Sequence, residues 1–100
     1  GSPESTQPVA NRLVAEDYEV RSQAARALGR IGDTRAVGPL GDVLAEEERD
    51  EVRAAAAWAL VQIGTERALE EAAQYVDDRS FLVQSEAEKA EDHLGTAAAA

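Results

Sequence analysis

Residues 19–32 read EVRSQAARALGRIG and residues 51–64 read EVRAAAAWALVQIG. Nine of the fourteen positions are identical at an offset of 32. The likeness runs on weakly, with Arg35-Ala36-Val37 set against Arg67-Ala68-Leu69. Alanine-rich helices share alanines by chance, but Glu-Val-Arg, Ala-Leu and Ile-Gly do not fall into register that way. The chain therefore carries an internal repeat, the mark of stacked units that bury one another's apolar faces.

Within the first copy, Val20, Ala24, Ala27, Leu28 and Ile31 recur at helical spacing, and Val52, Ala56, Ala59, Leu60 and Ile63 repeat the stripe in the second. Asp17 and Asp50 precede these segments as expected N-caps. Gly32 and Gly64 follow them where a left-handed residue ends a helix. A second helix follows each glycine. Its stripe is Val37, Leu40, Val43 and Leu44 in one unit and Leu69, Ala72, Ala73 and Val76 in the other, with Thr34 and Thr65 as the expected caps. Pro39 must lie in the first turn of its helix or bend it.

The ends read as half units. Val9, Leu13 and Val14 match the tail of a second-type helix. Val83, Ala87, Ala90 and Leu94 match the first-type stripe, with Gly95 as its stop. The expected organisation is a tag remnant or disordered segment over 1–6, one domain over 7–94, and a disordered tail over 95–100. The domain divides into a half unit 7–16, units 17–47 and 48–77, and a half unit 78–94. That makes an all-α superhelix of about six antiparallel-stacked helices. The polar dressing Gln84, Glu86, Glu88, Lys89, Glu91 and Asp92 predicts that the array ends at the last helix. The opposite end has no such dressing, which predicts that upstream units have been cut away.

The string Val-Arg-x-x-Ala-Ala-x-Ala-Leu-x-x-Ile-Gly-Asp-x-Arg-Ala-Val-x-Pro-Leu, from Val20 to Leu40, resembles the short HEAT-like repeat of the phycobilisome-lyase type. The second copy, Val52 to Leu69, keeps most of it but has Thr65 and Glu66 where the first has Asp33 and Thr34. The resemblance covers about residues 8–94 and implies stacked helix pairs with scaffolding or protein-binding roles. Lyase members attach bilins, yet the repeat is only their framework and no catalytic signature accompanies it here. The HEAT-type iron hydroxylases need His-Glu pairs on their repeats, and His93 is the single histidine.

Composition narrows function further. Twenty acidic residues face ten basic ones, nine of them arginine, for a net charge of −10. That argues against nucleic acid, whose phosphates need a basic face. The acidity has two readings: a basic partner drawn in by long-range attraction, or a halophilic, haloarchaeal surface hydrated by carboxylates. Scarce lysine with retained arginine fits the second better. No cysteine is present, which removes disulfides and thiolate metal sites. No stretch of about 18 apolar residues offers a membrane span, and a cytoplasmic setting is expected.

No constellation of chemistry rises above this background. His93 lacks partners for catalysis or metal binding. The run Glu46-Glu47-Glu48 and Asp50-Glu51 lack calcium-loop spacing, and the glycines make no phosphate cradle. Arg21 and Arg53 recur in register, as do Arg35 and Arg67. They read as a structural ladder of ion pairs or carbonyl contacts with Asp33, Glu19 or Glu51 as partners, in preference to the alternative of a carboxylate-binding row. Trp58 stands off the Val52–Ile63 stripe, either covering a neighbouring helix or anchoring a partner.

The expected function is therefore a non-catalytic scaffold with no cofactor or metal, which binds a protein or peptide, itself basic, on a concave face. The resemblance implies that the second helices line that face. Its candidate residues are Arg35, Asp42, Glu46, Arg67, Glu70, Glu71 and Gln74, with Trp58 beside them. The alternatives are an accessory subunit of a lyase-like enzyme and a homo-oligomerising structural module.

Overall fold

The computed structural model describes residues 6–99, with side chains from 7 to 95. The expected tag remnant lies almost wholly outside them. Six α-helices follow one another: α1 (Thr6–Asn11), α2 (Tyr18–Ile31), α3 (Val37–Glu46), α4 (Asp50–Ile63), α5 (Glu66–Ala73) and α6 (Phe81–Ala99). Short 3-10 turns at Arg12–Val14 and Thr34–Ala36 precede α2 and α3, and the described residues contain no strand. α2 packs along α4 and α4 along α6, forming one layer; α1, α3 and α5 form the other, each laid against the helix that follows it.

Local chemistry sets most of these boundaries. The Asp17 carboxylate accepts from the Glu19 amide at 2.8 Å, and Gly32 closes α2 in the left-handed region at φ 75°. Gly64 closes α4 in the same way at φ 71°. These are turns that any Cβ would strain. Thr65 caps α5 by accepting from the Ala68 amide at 3.2 Å. Pro39 falls in the first turn of α3, where its missing amide hydrogen costs nothing.

Four expectations are corrected. Asp50 is the first residue of α4 and not its cap; Arg49 holds the cap position without a side-chain bond, and Glu47 receives the free Glu48 and Arg49 amides instead. Thr34 does not cap α3 either, because Asp33 accepts from the Arg35 amide at 2.9 Å and starts the 3-10 turn that leads into the helix. Val14 is 86 % exposed, since the switch to 3-10 geometry turns Leu13 inward and Val14 out. Gly95 does not stop the last helix, which continues to Ala99 with Gly95 outside the left-handed region. The alanines beyond it are strong helix formers.

The core lies between the layers. Leu28, Leu40, Leu44, Leu60, Val37, Val52 and Val83 are its largest fully buried side chains. α4, with helices on both sides of it, buries nearly its whole circumference: Ala54, Ala55, Ala56, Ala57, Ala59, Leu60 and Val61 are all covered. Its alanines are what a central helix needs when backbones approach from several directions.

The tightest approach is Gly29 on α2. A Cβ there would lie 2.8 Å from the Ala59 Cα and 2.8 Å from the Trp58 Cζ3. Backbone cannot step aside as a side-chain tip can. Gly29→Val is therefore expected to destabilise by about 2 kcal/mol through overpacking, read as a lower urea midpoint with unchanged slope.

Candidate protein-binding surface

Two of the recurrent arginines, Arg21 and Arg53, are tied into the fold between units, whereas Arg67 is exposed. From α2, the Arg21 Nε donates to Glu47 at 2.7 Å and its Nη2 to the same carboxylate at 3.0 Å, while Nη1 donates to the Ala15 and Glu16 carbonyls at 2.8 Å each. From α4, Arg53 forks onto the Asp78 carboxylate with both terminal nitrogens and donates from Nε to the Leu44 carbonyl at 3.2 Å. Each arginine thus grips backbone carbonyls ahead of its own helix, in the loop before α2 for Arg21 and in the last turn of α3 for Arg53, and the carboxylate just before the next first-layer helix. That carboxylate also receives amides at the start of the next helix: Glu48 and Arg49 onto Glu47, Ser80 onto Asp78. The expected ladder exists, but Glu47 and Asp78 are its partners; Glu19 and Glu51 take no part in it, and Asp33 pairs with Arg35 at 2.6 Å. In α6 the same place holds Gln84, which still donates to the Asp78 carbonyl.

These bonds move the carboxyls. The Arg53 hydrogen bond, the largest influence, holds Asp78 below its ordinary 3.8 against the opposing effect of burial. Burial pushes Glu47 upward most strongly, but its bonds from Arg21 and the Arg49 and Glu48 amides together leave it below its ordinary 4.5. A carboxyl depressed in the folded state adds stability above its unfolded value and loses it on protonation. The contribution of both clamps is therefore complete above about pH 5 and drains away below about pH 4. Urea midpoints measured across that range test it, with Arg53→Met/Asp78→Asn losing less on acidification than the parent chain.

The predicted binding residues do not form one cluster. Asp42 and Glu46 stand exposed on α3 and line a groove of about 530 Å³ between α3 and the α1 end of the chain. Its apolar wall is Ala10, Leu13, Val14, Pro39 and Val43; Glu48, Arg49 and the paired Arg21 and Glu47 complete the lining. Arg49 lies 4.1 Å over the Tyr18 ring. Glu70, Arg67 and Gln74 are exposed on or just after α5, and the Glu71 carboxylate lies over Gly41 of α3. Arg35 is held by Asp33. Trp58 is in the other layer, half-buried, with its ring against Gly29 and the Arg26 guanidinium 5.6 Å from its centre. The sequence assigns Val14 to an apolar stripe and not to a binding surface, yet its exposure gives the groove its apolar edge.

Reactive chemistry finds no assembly here. His93 is exposed within α6, which runs on past Gly95. Among the described residues no group of three or more His, Cys, Asp or Glu side chains is arranged to hold a metal. No described helix is long and apolar enough to cross a membrane.

Two layers of stacked helix pairs in register, linked unit to unit, define a helical-repeat solenoid. The chain belongs to the HEAT repeat family, whose model matches residues 6–90. A search of curated proteins found no match. HEAT repeats commonly act as protein-interaction scaffolds and are typically non-catalytic.

Proposed function

We propose that this chain is a protein-binding scaffold that seats a basic, partly apolar peptide in the groove beside α3. The observation that carries the reading is the pairing of the exposed Val14, beside Pro39 and Val43, with the carboxylates of Asp42, Glu46 and Glu48 on one rim. An apolar wall supplies area, and a row of unpaired acids supplies sign and register. Glu70 on α5 extends the acidic surface of the same layer, with Gln74 just after the helix, so an extended ligand runs across α3 and α5. We read the unit as the phycobilisome-lyase type of HEAT-like repeat, used as framework without lyase chemistry. The remaining acidity is a salt-adapted surface.

The test is a titration with a peptide of alternating lysine and leucine, followed by amide chemical shifts. Shifts at Val14, Asp42, Val43 and Glu46, and a Kd that rises about tenfold or more in Asp42→Lys/Glu46→Lys, support the proposal. Binding should weaken as the screening length shrinks from about 10 Å at 0.1 M salt toward about 3 Å at 1 M. An affinity unchanged in the charge-reversed variant overturns it. A mass that doubles with concentration without peptide favours the homo-oligomerising alternative.

A further inference from the structure

A second groove, of about 750 Å³, lies on the far side of α2 from α4. Its floor is Val20, Ala24 and Ala27 with Val9 of α1, and Arg12, Arg26 and Arg30 stand on it. Among the described residues no carboxylate lines it, although the chain has twice as many acids as bases. Over this hollow the described surface carries the opposite sign to the chain as a whole.

The repeat says what shape belongs there. α2 lies on α4 in the same direction, with Gly29 against Ala59 and Trp58, and Arg26 over Trp58. Stepping back 32 residues, Ala59, Trp58, Ala56 and Val52 become Ala27, Arg26, Ala24 and Val20. The groove is therefore the counterpart of the surface on which α2 already sits, and its shape is that of a seat for one more helix.

Two constraints define the occupant. The helix seated on Ala59 has glycine at the contact and fully buried Ala25 one turn earlier, so the occupant needs alanine or glycine at two positions four apart. The three guanidinium groups require carboxylates beside that small stripe. The last helix of a second copy fails the first test, because the register places Glu88 and Asp92 where α2 has Ala25 and Gly29. Carboxylates there would be buried in a seat shaped for small apolar side chains.

We propose that this groove docks an acidic α-helix of a partner protein, carrying the small residues at i and i+4 with glutamates or aspartates flanking them. Screening confines the opposing net charge of −10 to a distance of about 8 Å at physiological salt, so the local arginines decide the contact. This site and its ligand are of opposite sign to the α3 groove, and either titration can fail without the other.

The probe is an alanine-rich peptide of about 16 residues, long enough to be helical alone, with the two small positions flanked by glutamates. Saturable binding with shifts at Val20, Ala24 and Ala27 supports the proposal. So does a Kd about tenfold or more higher in Arg26→Gln/Arg30→Gln, folded as judged by circular dichroism. Replacing the glutamates by lysine, or the two small residues by leucine, is expected to abolish binding. No saturation at millimolar peptide, or equal affinity in the arginine variant, overturns it. A concentration-dependent mass that vanishes in the arginine variant also overturns it, by giving the seat to a second copy.

Discussion

Arg53→Ala is expected to lower the stability of the folded chain by about 3 kcal/mol. Arg53 is 4 % exposed and answers Asp78, whose side chain is 8 % exposed. Removing the guanidinium leaves a carboxylate that has lost its water and its partner, and it also strips the Leu44 carbonyl of its donor. Against a typical domain stability of about 5–15 kcal/mol, that is a large fraction. Urea unfolding followed by helical circular dichroism reads it directly. The mechanism has its own control: Arg53→Met/Asp78→Asn keeps the volume and removes both charges, so it should recover most of the loss. If the double variant is as unstable as Arg53→Ala, stranded charge is not the cause.

Leu60→Ala is expected to cost about 3 kcal/mol for a different reason. Leu60 is fully buried in the last turn of α4, the helix hemmed in by α2, α3, α5 and α6. With neighbours on every side, little can collapse into the space, so lost transfer energy and an unfilled cavity add together. Leu82 on α6 is 57 % exposed, and Leu82→Ala should change the stability by less than about 0.5 kcal/mol. Equal effects at the two leucines would mean that α4 is not the centre of the core.

Much of the fold was legible because helix periodicity and caps are local. Val52, Leu60, Gly32, Gly64 and Thr65 could be placed from spacing and backbone chemistry alone. The misplaced caps were a matter of register. Asp17 and Asp50 are 33 apart, whereas the repeat is 32, and the residue in register with Asp17 is Arg49; Thr65 is likewise in register with Asp33, not Thr34. The arginine clamps were seen, but not their partners. Glu47 and Asp78 are 31 apart, because the loop before α6 is one residue out of step, and a loop carboxylate carries no periodicity to find it by. The burial of Ala54, Ala57 and Val61 also escaped a one-stripe reading, which assumes a helix with one dry face. Val14 was misread because the change to a 3-10 turn depends on how α1 meets α2, a tertiary fact.

The clamps all point one way along the chain. Arg21 reaches to the threshold of α4 and Arg53 to that of α6, while Gln84 in α6 makes only the backward contact. Each pair is thereby latched to its successor at the spot where the successor's helix begins. Nearest-neighbour coupling of this kind makes melting a sequential zipper. Opening at Asp78 frees α6 by itself, whereas opening at Glu47 uncouples the first pair from everything after it. Amide exchange should accordingly show α4, latched at both of its borders, as the last helix to give up its protons.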